Sequence, residues 1–256
     1  MVKVDYQNYS EYIHSAEQCK CGKVYPLSIA EGYQHGEVYV NSLGNCKTAL
    51  FWHYSGFASV LGEYDESFLE AVYDIILDKD KINPHRFILF TDDEQTKSFF
   101  SNRESIDVER RYFYEYNKAI NEAVDLPQNC ELMPVDAELL AKIKGRITPY
   151  FSWDNADEFL SKGKGYCIVT DGEVAAWAFS AAVSSTEIDI GIETQEKYQH
   201  RGFAAIVSKA MIKYVLEQGK IPVWACHYKN IASAKLADKL GFDKVAECFV
   251  IKRKED

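Results

Sequence analysis

The sequence predicts a mixed α/β protein whose C-terminal half contains a mostly antiparallel sheet. The segments Tyr166–Thr170 and Glu173–Phe179 have strand-like composition and flank Asp171 and Gly172, a strong signal for a hairpin turn. Beyond this hairpin, segments with helical and strand-like hydrophobic patterns alternate along the chain. A hairpin followed by such an alternation indicates antiparallel strands and helices within one fold.

The elements of the C-terminal half follow one another in a regular order. Asp136 precedes apolar residues at helical spacing, and a second helix is expected from about Trp153 to the breaker at Gly163. The segment Glu187–Glu193 alternates strictly, which predicts a strand with isoleucines on one face and acidic residues on the other. The later elements are predicted as a helix from Gly202 to Gln218, a strand Pro222–Tyr228, a helix Ser233–Leu240 and a strand Val245–Lys252.

The N-terminal half has fewer clear patterns. It is predicted to contain the strands Thr48–Tyr54, Arg86–Thr91 and Arg110–Tyr116 and the amphipathic helix Ser67–Leu77. A linker is expected near Leu126–Asn129, so we divide the chain into domains 1–129 and 130–256. The mixed strand and helix content of the first domain, together with an analogy to proteins built from two similar units, suggests an α/β unit that is a degenerate copy of the second. This domain contains no Gln-x-x-Gly-x-Gly/Ala motif.

Composition limits the classes of partner. The chain has 29 basic and 39 acidic residues and a net charge of −10, which argues against a nucleic-acid binder because such proteins need a basic face. No window approaches the roughly 18 apolar residues that span a membrane, and the N-terminus lacks the apolar core of a signal peptide. Seven scattered cysteines favour reduced thiols and a cytoplasmic location. Cys19 and Cys21 have no second Cys/His pair at zinc-site spacing, so no metal is expected.

A junction between a predicted strand and a predicted helix has the features of an anion site. The first N–H groups of a helix have no partner within the helix and attract anions. Gly202 has no Cβ to keep phosphates away, and His200 and Arg201 add donors or charge. The predicted diphosphate site consists of Gln199, His200, Arg201, Gly202, Phe203, Ala204 and Ala205.

A second motif follows this junction. Its residues are Asn230, Ser233, Leu236, Gly241 and Phe242. Together with the spacing of Gln199, Gly202 and Ala204, this motif resembles the GNAT superfamily of acyl-coenzyme A N-acyltransferases, over roughly residues 131–252. The segment Pro222–Cys226 further resembles the branch that includes zwittermicin-resistance acetyltransferases.

The resemblance implies a fold, a cosubstrate and an acceptor. The fold is a GNAT-type sheet splayed where the acyl carrier inserts, and the cosubstrate is acetyl-CoA. The strand residues Ile192, Glu193 and Thr194 are expected to contact it, as are the diphosphate site, Asn230 and Ser233. The acceptor is expected to be a small amine, with a natural product, an amino acid, a polyamine and a peptide N-terminus all open. A homodimer also stays open.

Acetyl transfer to an amine requires that the amine lose its proton. Glu193 is predicted as the base, and Glu187, Asp189 or a bound water are the alternatives. Many members of the superfamily carry a tyrosine that acts as the general acid at the position where this chain has Ala237. Tyr228 is therefore predicted to protonate the leaving thiolate, and Cys226 is the alternative. The thiolate can also leave unaided, because a thiol of this kind has a pKa of about 8–9.

Two functions from different classes remain. The leading prediction is an acetyl-CoA-dependent N-acetyltransferase that works by direct transfer in a ternary complex. The alternative is a non-catalytic protein that binds and senses acyl-CoA. The sequence also leaves open whether Trp153 and Trp177 are core residues or pocket walls. A nucleotide-binding α/β protein is disfavoured because the glycine motifs of that class are absent from the sequence.

Overall fold

The computed structural model describes residues 1–44, 47–77, 86–119 and 125–254. The helices in these ranges are α1 (Ile13–Glu17), α2 (Val24–Ala30), α3 (Glu66–Leu77), α4 (Glu94–Ser101), α5 (Ala137–Lys142), α6 (Ala156–Lys162), α7 (Phe203–Glu217) and α8 (Ile231–Leu240). The strands are β1 (Val2–Lys3), β2 (Gly36–Val40), β3 (Thr48–His53), β4 (Phe57–Gly62), β5 (Ile88–Thr91), β6 (Ile106–Glu115), β7 (Cys130–Pro134), β8 (Gly165–Thr170), β9 (Glu173–Val183), β10 (Glu187–Thr194), β11 (Ile221–His227) and β12 (Asp243–Arg253). Short 3-10 helices cover Tyr6–Tyr12, Pro149–Phe151 and Glu196–Tyr198.

Contacts between residues divide the chain into two compact units. The N-terminal unit contains Met1–Phe113, Cys226–Asn230 and Lys244–Asp256, and the C-terminal unit contains Tyr114–Ala225 and Ile231–Asp243. Most of β12 therefore belongs with the N-terminal unit, because β12 pairs with β5 there. The domain boundary between residues 129 and 130 stays a prediction.

In the N-terminal unit the strand order is β1-β2-β3-β4-β5-β12-β6. The pairs β1–β2, β2–β3 and β3–β4 are antiparallel, and β12 is antiparallel to β5. By contrast, β4 and β5 run parallel over three residue pairs, from Phe57 opposite Ile88 to Ser59 opposite Phe90. The helix α3 buries Phe68, Leu69 and Val72 in the core cluster of this unit.

In the C-terminal unit the order is β11-β10-β9-β8-β7. The strands β7 to β10 form an antiparallel meander, and β10 and β11 run parallel. The helix α7 buries Phe203, Val207 and Met211 at helical spacing. The predicted mixed fold with a mostly antiparallel sheet is therefore confirmed.

The sheet of the C-terminal unit is splayed between β10 and β11. Their pairing consists of three residue pairs, from Glu187 opposite Ile221 to Asp189 opposite Val223, while β10 continues to Thr194. At the same level β9 carries one extra residue, Ala181, because Asp189 faces Ala182 and Ile190 faces Ser180. Such a bulge bends the strand and increases its twist, which accounts for the divergence. The splay implied by the family resemblance is thus present.

The two units have the same order of elements. In each, helices precede three antiparallel strands, and a helix, a parallel strand and a further helix follow. The next strand in the sequence is β6 in the first case and β12 in the second, and most of β12 belongs with the N-terminal unit. This repetition supports the prediction that the N-terminal half is a copy of the C-terminal one.

The local predictions succeeded where the signal was a cap or a turn. Asp136 caps α5 by accepting the Leu139 N–H at 2.8 Å, and Asp171 and Gly172 form the predicted turn with φ of 52° and 78°. The prediction missed β1, β2, β4, β7, α1, α2 and α4. The helix α2 is buried on every side and contains Pro26, so its sequence shows no amphipathic pattern.

The structure corrects the expectation that all cysteines are reduced. Cys21 and Cys248 form a disulfide with a Cα–Cα distance of 6.2 Å, and both are buried. The bond joins the start of α2 to β12, across a sequence separation of 227 residues. In the described residues, we find no helix long and apolar enough to cross a membrane.

Reduction of the disulfide should lower the free energy of unfolding by about 2–4 kcal/mol, because the open chain gains conformational freedom when unfolded. Urea unfolding with and without a thiol reductant measures this difference. The Cys248→Ala variant should not respond to the reductant, whereas Cys167→Ala, which removes a buried free thiol, should respond like wild type. A wild-type protein that is equally stable in both conditions would contradict the expectation.

Candidate active site

The first turn of α7 forms an open donor site. Within the described ranges no side chain caps this helix, and its first backbone bonds run from the amides of Ala205 and Ile206 to the Gly202 carbonyl, at 3.1 and 3.3 Å. The amides of Phe203 and Ala204 are therefore left for another acceptor. By contrast, Asp136 caps α5 and Asn155 caps α6. The start of α7 is thus suited to bind an anion.

The backbone before α7 has the conformation that such a site needs. Gly202 has a φ of 80° and His200 a φ of 63°, so two residues in this turn are left-handed. A Cβ built on Gly202 meets no atom within 4 Å, which leaves open space at the helix start. The guanidinium of Arg201 lies 5.3 Å from the ring centroid of Tyr198, a buried residue that anchors the turn. Arg201 therefore adds positive charge beside the free amides.

The strand β10 leads into this turn with one edge open. Ile192, Glu193 and Thr194 pair with β9, and the recorded pairing with β11 has ended at Asp189. Among the described residues, the buried hydroxyl of Thr194 has no hydrogen-bond partner. Gly191 is required by packing, because a Cβ there comes within 2.7 Å of the Phe179 ring.

A cleft of about 910 Å³ opens at the end of β10. It is lined by Lys144, Trp177, Glu193, Thr194, Gln195, Glu196, Lys197 and Gln199. The structure thus brings three predicted site residues, Glu193, Thr194 and Gln199, to one cavity. In the ranges that the structure describes, no group of three His, Cys, Asp or Glu residues is arranged to hold a metal ion.

Glu193 is held by the loop that follows α5. Its Oε2 accepts the Ile147 N–H at 2.6 Å, and the carboxylate lines the cleft. The alternative bases differ from the prediction: Glu187 and Asp189 are 3% and 6% exposed rather than on an open polar face. They lie in the part of β10 that pairs with β11, so Glu193 alone of the three acidic residues lines the cleft.

The structure separates the two tryptophans that the sequence left equivalent. Trp177 lines the cleft and donates its Nε1–H to the Ile147 carbonyl at 2.7 Å. Trp153 is a core residue that donates its Nε1–H to the Ser180 carbonyl at 2.8 Å. Both rings are almost fully buried.

The residues around the second motif have structural partners of their own. Ser233 Oγ accepts the Trp224 Nε1–H at 3.0 Å, and the Asn230 N–H donates to the His227 carbonyl at 2.8 Å. Ala237 is fully buried in α8. Cofactor contacts of Asn230 and Ser233 stay predictions.

Tyr228 belongs to the N-terminal unit and follows a charged cluster. The Tyr228 N–H donates to the Arg110 carbonyl at 3.1 Å. Next to it, Glu109 lies 3.0 Å from His227 Nε2, 3.1 Å from Lys252 Nζ and 3.3 Å from Lys229 Nζ. Burial alone raises the pKa of Glu109, but these hydrogen bonds outweigh it and lower the pKa to about 2. The cluster therefore fixes the turn that carries Tyr228. The other predicted acid, Cys226, is buried.

The N-terminal unit has no comparable donor site at the corresponding helix. There the Asp65 carboxylate accepts the Phe68 N–H at 3.0 Å and so caps α3, and Glu63 and Glu66 add negative charge. A diphosphate is disfavoured at this position because the carboxylates of Glu63, Asp65 and Glu66 repel it, and Asp65 already accepts the Phe68 N–H.

Sequence reasoning missed the loop residues of the site. Lys144, Gly145 and Ile147 lie on the segment after α5, which carried no motif. Gln195 and Glu196 stand between β10 and the diphosphate motif and were passed over. The glycine at 145, in a segment without a predicted turn, was the signal available for the first group.

Comparison with known proteins places these features in a family. A family model described as GNAT acetyltransferase matches residues 22–250. A Bacillus subtilis (strain 168) protein described as the uncharacterized N-acetyltransferase YdfB is 27% identical over 167 residues, which cover 63% of this chain. The match spans 64% of that relative, less than two thirds of its length.

Solved structures share the fold over both units. A GCN5-related N-acetyltransferase-like protein from Streptococcus suis 89/1591 has a TM-score of 0.76 at 19% identity, and covers 98% of this chain and 100% of its own. A tandem GNAT protein from the clavulanic acid biosynthesis pathway has a TM-score of 0.63 at 11% identity, with coverage of 100% and 99%. Because the family model matches most of the sequence, the chain belongs to the GNAT acetyltransferase family.

Proposed function

We propose that this chain is an N-acetyltransferase that transfers the acetyl group of acetyl-CoA to a small amine, directly and within a ternary complex. The observation that carries the proposal is the uncapped start of α7 beside the open edge of β10. The helix start offers amides to a diphosphate, and the strand edge offers backbone groups to the amide-bearing pantetheine arm. Family membership supports the same donor.

Each step of acetyl transfer is assigned to particular groups of the site. Bound acetyl-CoA supplies an activated thioester. Glu193, in the cleft, takes the proton of the acceptor amine, and the N–H groups along the open edge of β10 polarise the carbonyl. Tyr228 or water protonates the departing thiolate. Arg201 and the first amides of α7 bind the diphosphate.

A non-catalytic sensor of acyl-CoA is the rival function, and Ala237 favours it because an alanine has no proton to donate. Glu193 at the cleft favours the enzyme. Release of free thiol in the presence of a panel of amines distinguishes the two, because a sensor binds the donor without turnover. The panel includes amino acids, polyamines, peptide N-termini and natural-product amines. A cytoplasmic location and a homodimer stay predictions.

The Gly202→Glu variant should bind acetyl-CoA at least about tenfold more weakly, because a carboxylate then stands where the diphosphate is expected. Isothermal calorimetry measures the affinity. Gly219→Glu is the matched control: Gly219 also has a positive φ and open space around its Cβ position, but ends α7. Unchanged affinity in a folded Gly202→Glu variant, or equal loss in both variants, would remove the assignment.

Calorimetry should also give one acetyl-CoA site per chain, because the helix start in the N-terminal unit is capped by Asp65. A stoichiometry of two would refute this interpretation of the N-terminal unit. The Asp65→Ala variant should keep a stoichiometry of one, since Glu63 and Glu66 still repel the diphosphate.

The Glu193→Gln variant should lose about tenfold to a hundredfold in kcat/KM, because it keeps the shape of the side chain but removes the base. Wild-type kcat/KM should rise along one limb with pH, because transfer requires a neutral amine, and the variant should shift or flatten that limb because it no longer accepts the proton of the bound amine. Glu196→Gln is the control, since Glu196 lines the same cleft. If both variants keep the wild-type rate and pH dependence, the base is not Glu193.

A further inference from the structure

A short loop is held against the sheet of the C-terminal unit by one residue. The Ile147 carbonyl accepts the Trp177 Nε1–H at 2.7 Å, and the Ile147 N–H donates to Glu193 Oε2 at 2.6 Å. Trp177 and Glu193 are direct neighbours across β9 and β10. Two side chains on one face of the sheet therefore bind both backbone groups of the same loop residue.

Gly145 makes this close approach possible. A Cβ at this position would lie 2.4 Å from Glu193 Oε2 and 2.6 Å from Trp177 Cζ2. Both distances are shorter than any ordinary contact, so a side chain here displaces the loop or the carboxylate. The loop and the two side chains thus fit together only with glycine at 145.

The contact orients the Glu193 carboxylate. One oxygen is engaged by the Ile147 amide, so the position of the other oxygen is restricted. Trp177 is 1% exposed, so its ring has little freedom to move, and its indole N–H fixes the loop that holds Glu193. Lys144, Trp177 and Glu193 line the same cleft. The buried Trp177 ring is therefore connected through the Ile147 backbone to the Glu193 carboxylate at the cleft.

We propose that Trp177 is a positioning residue for acetyl transfer: through the Ile147 backbone it holds Glu193 so that its free oxygen faces the acceptor amine. Gly145 is the companion residue that permits this arrangement. The inference rests on the proposed function, in which Glu193 accepts the proton of the amine. It adds a second group of residues, outside both sequence motifs, on which that step depends.

The chain offers a matched pair of variants. Trp177→Phe and Trp153→Phe each keep an aromatic ring and each remove one buried indole hydrogen bond to a backbone carbonyl. Only the first bond holds the loop over Glu193. A purely structural role therefore predicts the same outcome for both variants, and a positioning role predicts different ones.

Hydrogen exchange of the full-length protein tests the contact without any substrate. In Trp177→Phe, amide exchange in residues 144–148 should be faster by about threefold to tenfold, the effect of one lost hydrogen bond. Trp153→Phe should leave this segment unchanged. Equal exchange in the two variants overturns the proposal.

Two probe amines test positioning by kinetics. Ethylamine is protonated near neutral pH and needs a base, whereas hydroxylamine is already neutral. With background subtracted, Trp177→Phe and Gly145→Ala should lower kcat for ethylamine by about tenfold, change the KM for acetyl-CoA little, and affect hydroxylamine much less. Trp153→Phe should keep the wild-type ratio of the two rates. If Trp177→Phe also keeps that ratio, the proposal is wrong.

Different results contradict the proposed function and the positioning role of Trp177. A wild-type protein that binds acetyl-CoA but acetylates neither probe, nor any amine of the panel, contradicts the proposed function and with it the role of Trp177 in catalysis. Turnover that is normal in wild type and unaffected by Trp177→Phe contradicts only the role of Trp177.

Discussion

The site depends on the divergence of two parallel strands. β10 and β11 keep register for three residue pairs and then separate, at the level where β9 carries the extra residue Ala181. A backbone amide that is buried without a partner costs about 1–3 kcal/mol, so an open strand edge is tolerable only where water or a ligand reaches it. The cleft at Glu193 and Thr194 provides that access. The bulge in β9 therefore accounts for the open edge of β10, and the cleft lies along that edge.

The starts of α3 and α7 differ in a few residues, although the strands that precede these helices are arranged alike. Both units contain a strand that leaves its parallel neighbour after three residue pairs and then enters a helix. In the C-terminal unit that helix starts at Gly202, with no side chain over its amides. In the N-terminal unit Asp65 accepts the Phe68 N–H and fills the position. The capping carboxylate of Asp65, with Glu63 and Glu66 beside it in the sequence, distinguishes this helix start from that of α7, while the order of the elements is the same.

Features that are local in the sequence could be predicted, and features made by distant residues could not. The turn at Asp171 and Gly172, the cap of α5 at Asp136 and the start of α7 depend on residues a few positions apart. The loop at Ile147 depends on Trp177 and Glu193, which are adjacent only because β9 pairs with β10. Burial of Glu187 and Asp189 and the bond between Cys21 and Cys248 likewise arise from tertiary structure. The sequence was therefore enough to predict the glycine-led start of α7, whereas the contacts of Ile147 with Trp177 and Glu193 needed coordinates.

The position of β12 has a consequence for how the protein is made. This strand follows β5 by about 150 residues in the sequence, yet it lies beside β5 in the sheet of the N-terminal unit. During synthesis β5 therefore has no neighbour on that side until β12 has left the ribosome, and its exposed edge can pair with other chains. Contacts between residues so far apart also slow folding. The N-terminal unit is thus completed only after most of the C-terminal unit has been made, and the nascent chain depends on protection of the β5 edge over that interval.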